Sequence, residues 1–360
     1  METFREIQAN IWKTEHGKNR MELMKRGWEL ADEQKDYQHQ MQFRMDYMEE
    51  ATFFEDAMLL YVVFPKLLKL HDEHVAEYGN DPFTYNVMWR YKWVLENARD
   101  FYQISLEQFR AFCEDFKSRC QSLNYSLRTY YEYQFIVYIY GDKEAAADAY
   151  QRFMQEKRDA LSDCPACERD TQIIYLLALG DFEEAEIQAQ ALFSGKLKCK
   201  EVPEVTYGAF LRAYNWKICS GKIVDLEKVQ LYCDKIRQAV SRQKIGTEFI
   251  GDILLFYALT DTPKALPFYK KYWPYFEENK NPAQRFYFAC AAARFFADMK
   301  EKGSYRMKLP ANFPCYHEND VYNVAELREY YEAAARSCMG KLDERNHSHH
   351  FADLFQLVMK

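Results

Sequence analysis

Glycine and proline are scarce in this chain, at 12 and 10 of 360 residues, against average usage of about 7% and 5%. Their scarcity disfavours Gly-rich nucleotide-binding loops and architectures built from many tight turns. An excess of positive charge is missing too. The 48 Lys and Arg face 55 Asp and Glu, a formal net charge of −7, so no domain-wide basic footprint exists for a phosphate backbone and no nucleic-acid partner is expected. No uninterrupted apolar run exceeds eight residues, as at Ala57–Phe64. Met1-Glu-Thr-Phe-Arg-Glu offers no basic segment leading into an apolar one, so neither secretion nor a membrane partner is expected.

What is abundant is aromatic. Phe, Trp and Tyr make up 17% of the chain, within a hydrophobic share of 48%, enough to bury a sizeable core and to exclude global disorder. The ten cysteines are spread through helical patterns rather than framing a small Gly/Pro-rich domain. They read as reduced thiols of a cytoplasmic protein.

Internal similarity organises the chain. Tyr138-Ile-Tyr-Gly141-Asp142-Lys-Glu-Ala-Ala146 matches Leu177-Ala-Leu-Gly180-Asp181-Phe-Glu-Glu-Ala185, with the glycines 39 positions apart. Ala258-Leu-Thr260-Asp261-Thr-Pro-Lys-Ala265 follows 80 later, and Ile218-Cys-Ser-Gly221 supplies the turn between them. The period is therefore near 40, a length proper to stacked helical hairpins. Apolar positions on both sides of each turn recur at three-to-four spacing, as in Ala185, Ala189, Leu192 and Phe193, which marks helices. Small Ala at the start of each second helix lets its partner approach, and Asp142, Asp181 and Asp261 stand where an N-cap oxygen is needed.

The turn and second helix, best preserved in Gly180-Asp-Phe-Glu-Glu-Ala185 with Ala189, resemble those of tetratricopeptide (TPR) proteins. The resemblance covers roughly residues 124 to 276, with weaker copies at Phe53–Ala57 and Ser105–Gln108. The first helices lack the Trp-x-x-Leu-Gly pattern and the repeat is longer than the usual TPR unit, so the array is divergent. Asp163-Cys-Pro-Ala-Cys167 followed by Cys199-Lys-Glu-Val-Pro203 is also similar to a group of bacterial TPR proteins. The resemblance implies an all-α fold, an α-α superhelix of hairpins. It would comprise N-terminal helices with divergent repeats over 1–123, a repeat core over 124–302 and capping helices over 303–360, in one continuous solenoid. Helices are expected over 20–34, 36–51, 54–74, 84–98, 105–120, 124–140, 142–157, 167–179, 181–193, 204–219, 224–241, 246–259, 261–276 and 282–300, with caps over 323–341 and 346–359.

Two sets of residues carry chemistry. Cys164 and Cys167 have the two-residue spacing that lets both thiolates reach one tetrahedral metal. Cys199 falls in the corresponding loop of the next repeat, so the three are expected to converge on a structural zinc, with Asp163, Glu201 or Glu204 as candidate fourth ligand. The alternative is a Cys-Pro-x-Cys helix start with half-buried thiols. A redox pair is disfavoured because no βαβ context surrounds the motif. His71-Asp-Glu-His74 lacks the spacing of a zinc hydrolase and reads as the solvated end of a helix, while His347, His349 and His350 read as a loop or N-cap.

The second set is a surface. First helices of TPR arrays line the concave groove, and this places Arg128, Tyr131, Gln134, Asp170, Tyr207, Arg212 and Asn215 on the face that would hold a protein or peptide ligand. No nucleophile elbow, phosphate loop, EF-hand or kinase signature occurs, so a non-enzymatic scaffold or adaptor is expected. The alternative is a peptide-responsive regulatory sensor of the bacterial TPR type acting through protein contacts, since Lys13, Lys18, Arg20, Lys25 and Arg26 are offset by many acids and make no DNA-reading helix.

Overall fold

The computed structural model describes residues 3–243, 245–299 and 303–360. The fold is all-α: seventeen α-helices stand among the described residues, with one two-stranded hairpin. It is of the superhelical hairpin class, since within each of its two units most helices pack on a sequence neighbour and several alternate helices also touch. Among the described residues no helix is long and apolar enough to cross a membrane.

The chain divides into two units, one running to Gln134 and including Gln151–Leu161, the other comprising Phe135–Tyr150 and Ser162–Lys360. The first unit holds α1 (Phe4–Lys13), α2 (Lys18–Gln34), α3 (Tyr37–Phe54), α4 (Leu60–Tyr78), α5 (Thr84–Asn97) and α6 (Leu106–Ser122). Helices α7 (Arg128–Tyr138) and α8 (Lys143–Gln155) contain the boundary. Helix α1 is absent from the sequence expectation. Its start is a capping box in which Thr3 and Glu6 satisfy each other's backbone amides, and Ile7 and Ile11 bury against Met24 and Phe43. The expected 54–74 helix begins only at Leu60. Asp56 caps a single 3₁₀ turn there and receives the Met58 amide at 3.0 Å.

The second unit carries α9 (Pro165–Leu179), α10 (Phe182–Phe193), α11 (Glu204–Cys219), α12 (Leu226–Gln243), α13 (Ile250–Thr260), α14 (Thr262–Glu278), α15 (Pro282–Asp298), α16 (Val324–Asn346) and α17 (His350–Met359). The turns are built as expected. Asp142, Asp181 and Asp261 accept from the amides of Ala145, Glu184 and Lys264. Ala146, Ala185 and Ala265 are buried. Gly180 has φ +81 at the end of α9, a left-handed position that costs an L-residue about 1–2 kcal/mol. First helices α9, α11, α13 and α15 pack in succession on one another. The α15 stretch Ala289-Cys290-Ala-Ala-Ala293 is wholly buried, small enough for α13 and α16 to close on it.

Two features depart from expectation. Between α15 and α16, Ser304–Arg306 (β1) pairs antiparallel with Val321–Asn323 (β2), Tyr305 opposite Tyr322. The prolines of this stretch correctly mark a break in helix, but they do not reveal the hairpin. Helix α17 was expected as an end cap, yet it packs against α11 and α15, deep in the array. Phe351 meets Phe286 edge-on at 5.1 Å, and His350 meets Trp216. The start of α17 is capped from α16, where the Asp343 carboxylate accepts the amides of Phe351 and Ala352 at 2.9 and 2.8 Å.

Candidate metal centre and binding surfaces

Cys164 is the N-cap of α9, with Pro165 at the first helical position, where the missing N–H costs nothing. One turn on, Cys167 donates its amide to the Cys164 sulfur at 3.4 Å. Cys199 comes from the loop between α10 and α11. A tight turn holds it there: its amide donates to the Val202 carbonyl at 3.0 Å, and the Val202 amide donates back to its sulfur at 3.3 Å. The Leu197 amide ties the same loop to the Ala191 carbonyl of α10. The result is convergence of three sulfurs. Cys167 Sγ lies 3.4 Å from Cys164 Sγ and 3.4 Å from Cys199 Sγ, and all three lie within 4.8 Å of one another.

Among the described residues these are the one such group of three or more potential ligands. Asp163, Glu201 and Glu204 do not join them. All three thiols are half-buried. Burial works to raise the Cys164 thiol, but the Cys167 amide and thiol, the Ala166 amide and the Cys199 thiol outweigh it, and its pKa falls below the ordinary value. Burial, then the two neighbouring sulfurs, push Cys167 up. Three sulfurs converging at the N-terminal, positive end of α9 make a pocket of soft donors suited to a soft cation.

The residues expected to line the groove fare differently. Arg128 (8% exposed), Asp170 (8%) and Asn215 (0%) are buried, which overturns their placement on an open face. Arg128 donates to the carbonyls of Phe153 and Glu156 at the end of α8, at 2.7 and 2.9 Å. Asp170 of α9 accepts from the Thr206 hydroxyl of α11. Asn215 donates to the Asp252 carbonyl at 2.8 Å, and Arg212 forms an ion pair with the Asp252 carboxylate at 2.8 Å while lying over the rings of Phe249 and Tyr287. The contacts of Asp170, Asn215 and Arg212 are polar staples between successive first helices, whereas Arg128 closes the end of a second helix. Buried polar groups must find partners, and these find theirs in neighbouring helices and turns.

Tyr207 stacks on Phe193 at 4.4 Å, and Gln134 donates to the Tyr130 hydroxyl at 2.9 Å. Both remain half-buried. Tyr131 lines a groove of about 770 Å³ within the first unit, together with Gln121, Tyr125, Arg152, Gln155 and Lys157. The floor is rigid. Ser126 donates its amide to Asp159 at 2.6 Å, and its hydroxyl accepts the Arg128 amide at 3.0 Å. The Arg152 guanidinium lies over the Tyr131 ring at 5.8 Å. Arg152, Gln155 and Lys157 escape the sequence reading because they lie at the end of a second helix, where repeat register predicts only solvent.

His71 and His74 are not the solvated helix end that their spacing suggested. His71 is buried, with Nε2 at 2.9 Å from the Thr84 hydroxyl. His74 pairs with Asp81 at 2.9 Å and stacks on Tyr37.

No family model matches the chain, and no curated protein or solved structure matches it.

Proposed function

We propose that this protein is a non-enzymatic, cytoplasmic scaffold of divergent TPR type that binds an extended segment of a protein or peptide in the groove of the first unit. The observation that carries the reading is the groove itself. Tyr125 and Tyr131 offer two flat rings of low conformational entropy, Arg152 sits over one of them, and the loop beneath is hydrogen-bonded in place. Such a surface binds with little reorganisation, so few anchors suffice. The cations Arg152 and Lys157 favour a ligand carrying an acidic side chain beside an apolar one. Ten free thiols fit a reducing compartment.

Panning a displayed library of random peptides against the full-length protein tests this. Enriched sequences should share an acidic residue next to an aromatic or aliphatic one. Affinity for a synthetic consensus peptide should fall about tenfold or more in Arg152→Glu, the loss of one charge-assisted hydrogen bond worth about 1.5–3 kcal/mol. Tyr131→Ala should weaken it as well, and both variants should unfold at the wild-type midpoint. Enrichment of no consensus, or binding indifferent to both substitutions, would refute the assignment.

A further inference from the structure

We propose that Cys164, Cys167 and Cys199 bind one zinc ion as three thiolates, and that the fourth coordination position is open to an exogenous ligand. Zinc–thiolate bonds of about 2.3 Å in tetrahedral geometry put sulfurs about 3.8 Å apart. Two of the separations here are 3.4 Å, a few tenths of an ångström short of that, and the third is no more than 4.8 Å, so small side-chain adjustments make the site. A disulfide requires about 2.05 Å, which none of these pairs approaches. The amides are already aimed: Cys167 N–H points at the Cys164 sulfur and Val202 N–H at the Cys199 sulfur. Such amide donors orient thiolate ligands and stabilise their charge.

The charges close as well. As each Zn–S bond forms, an S–H bond gives its proton to solvent. Three thiolates on a divalent ion then leave a net charge of −1. Lys198 and Lys200, both exposed, flank Cys199 on the loop and offset it. Thiolate ligands select zinc over magnesium, calcium or manganese. Among the described residues the convergent set closes at three sulfurs, and none of the three cysteines is fully buried. Solvent therefore reaches the metal, and a water, an imidazole or a small thiol completes the tetrahedron. A fully structural zinc has four protein ligands, whereas three with an open place is the pattern of an ion that exchanges a ligand.

Elemental analysis of untagged full-length protein purified without chelator should give one zinc per chain, and Cys199→Ser should give none while Cys219→Ser keeps it. Replacement by Co(II) should produce a thiolate charge-transfer band and the visible bands of a tetrahedral ion, and added imidazole should shift those visible bands. Should Cys199→Ser fail to fold, the Co(II) spectrum of the wild-type protein decides alone. Absence of stoichiometric metal after zinc or cobalt loading under reducing conditions would overturn the site. So would a Cys164–Cys167 disulfide found by mass spectrometry after alkylation in the cell extract. Visible bands unmoved by imidazole would overturn the open position.

Discussion

Arg212 and Asp252 offer the sharpest test of how the second unit is held together. Asp252 is 2% exposed, and its carboxylate receives the Arg212 guanidinium through Nη2 at 2.8 Å and Nε at 3.1 Å. The same Nη2 also donates to the Glu248 carbonyl at 3.1 Å. Burial alone lifts the Asp252 carboxyl above its ordinary value even with Arg212 pulling it down, so the ion is held against a large desolvation cost. Arg212→Met removes the counter-charge and leaves the acid stranded. Breaking a buried pair from one side costs about 3–5 kcal/mol, and the lost ring contacts on Phe249 and Tyr287 lie within that figure. Replacing both partners, as Arg212→Met with Asp252→Leu, removes the stranded charge and should recover all but about 1 kcal/mol.

Urea unfolding followed by circular dichroism measures both. With a urea slope of about 2–3 kcal/mol per molar, the single variant should lose about 1–2 M in midpoint and the double variant much less. The stranded Asp252 also has a pH signature. A carboxyl whose folded pKa is raised contributes stability at low pH that is lost as pH rises through that value. The gap between wild type and Arg212→Met should therefore narrow as pH falls from 7 towards 4. A single variant that costs under about 1 kcal/mol, as exposed pairs do, or a double variant no better than the single, refutes the account.

His350 is pushed down to about 4, by burial first and then by Lys143 and Arg212, with Asp353 opposing. The neutral ring therefore stabilises the fold above pH 6.5, and about 3 kcal/mol of that should drain away between pH 6.5 and 4. His350→Asn should flatten the slope of stability against pH in that window, and an unchanged slope would mean the ring is solvated. A Cβ on Gly141 would stand 2.6 Å from the Asn346 carbonyl oxygen. Gly141→Ala should cost about 1–3 kcal/mol in thermal unfolding, whereas Gly340→Ala, in open space inside α16, should gain about 0.5–1 kcal/mol. Equal effects would show that the turn and α16 do not meet.

The helices were legible because their signals are local. Gly180, Asp181 and Ala185 each state a backbone or packing need within one turn, and the observed α9–α10 hairpin follows them. The thiol cluster was legible for a different reason: the 40-residue period converts distance along the chain into adjacency between repeats, which brought Cys199 to Cys164. Helix α1 was written in Thr3 and Glu6, a capping signal too short to register without the packing partner Phe43. Burial of Arg128, Asp170 and Asn215 could not be read, because polarity marks a residue as needing a partner and does not tell whether that partner is solvent, a ligand or the next helix. Tyr125 and Arg152 share a groove through loop geometry, which no periodicity encodes.

The Ser348 hydroxyl donates to the Tyr140 carbonyl at 2.8 Å, across 208 positions of sequence. Hairpin arrays ordinarily consolidate from neighbour to neighbour as the chain emerges, each repeat resting on the last. Here the earliest turn of the second unit waits for one of its latest segments. Until residues near 348 have left the ribosome, the faces of α11 and α15 that α17 covers stay bare, at a synthesis rate of about 5–20 residues per second. The second unit thus completes vectorially synthesised structure only by a final long-range closure, and its nascent form is the species most in need of a chaperone.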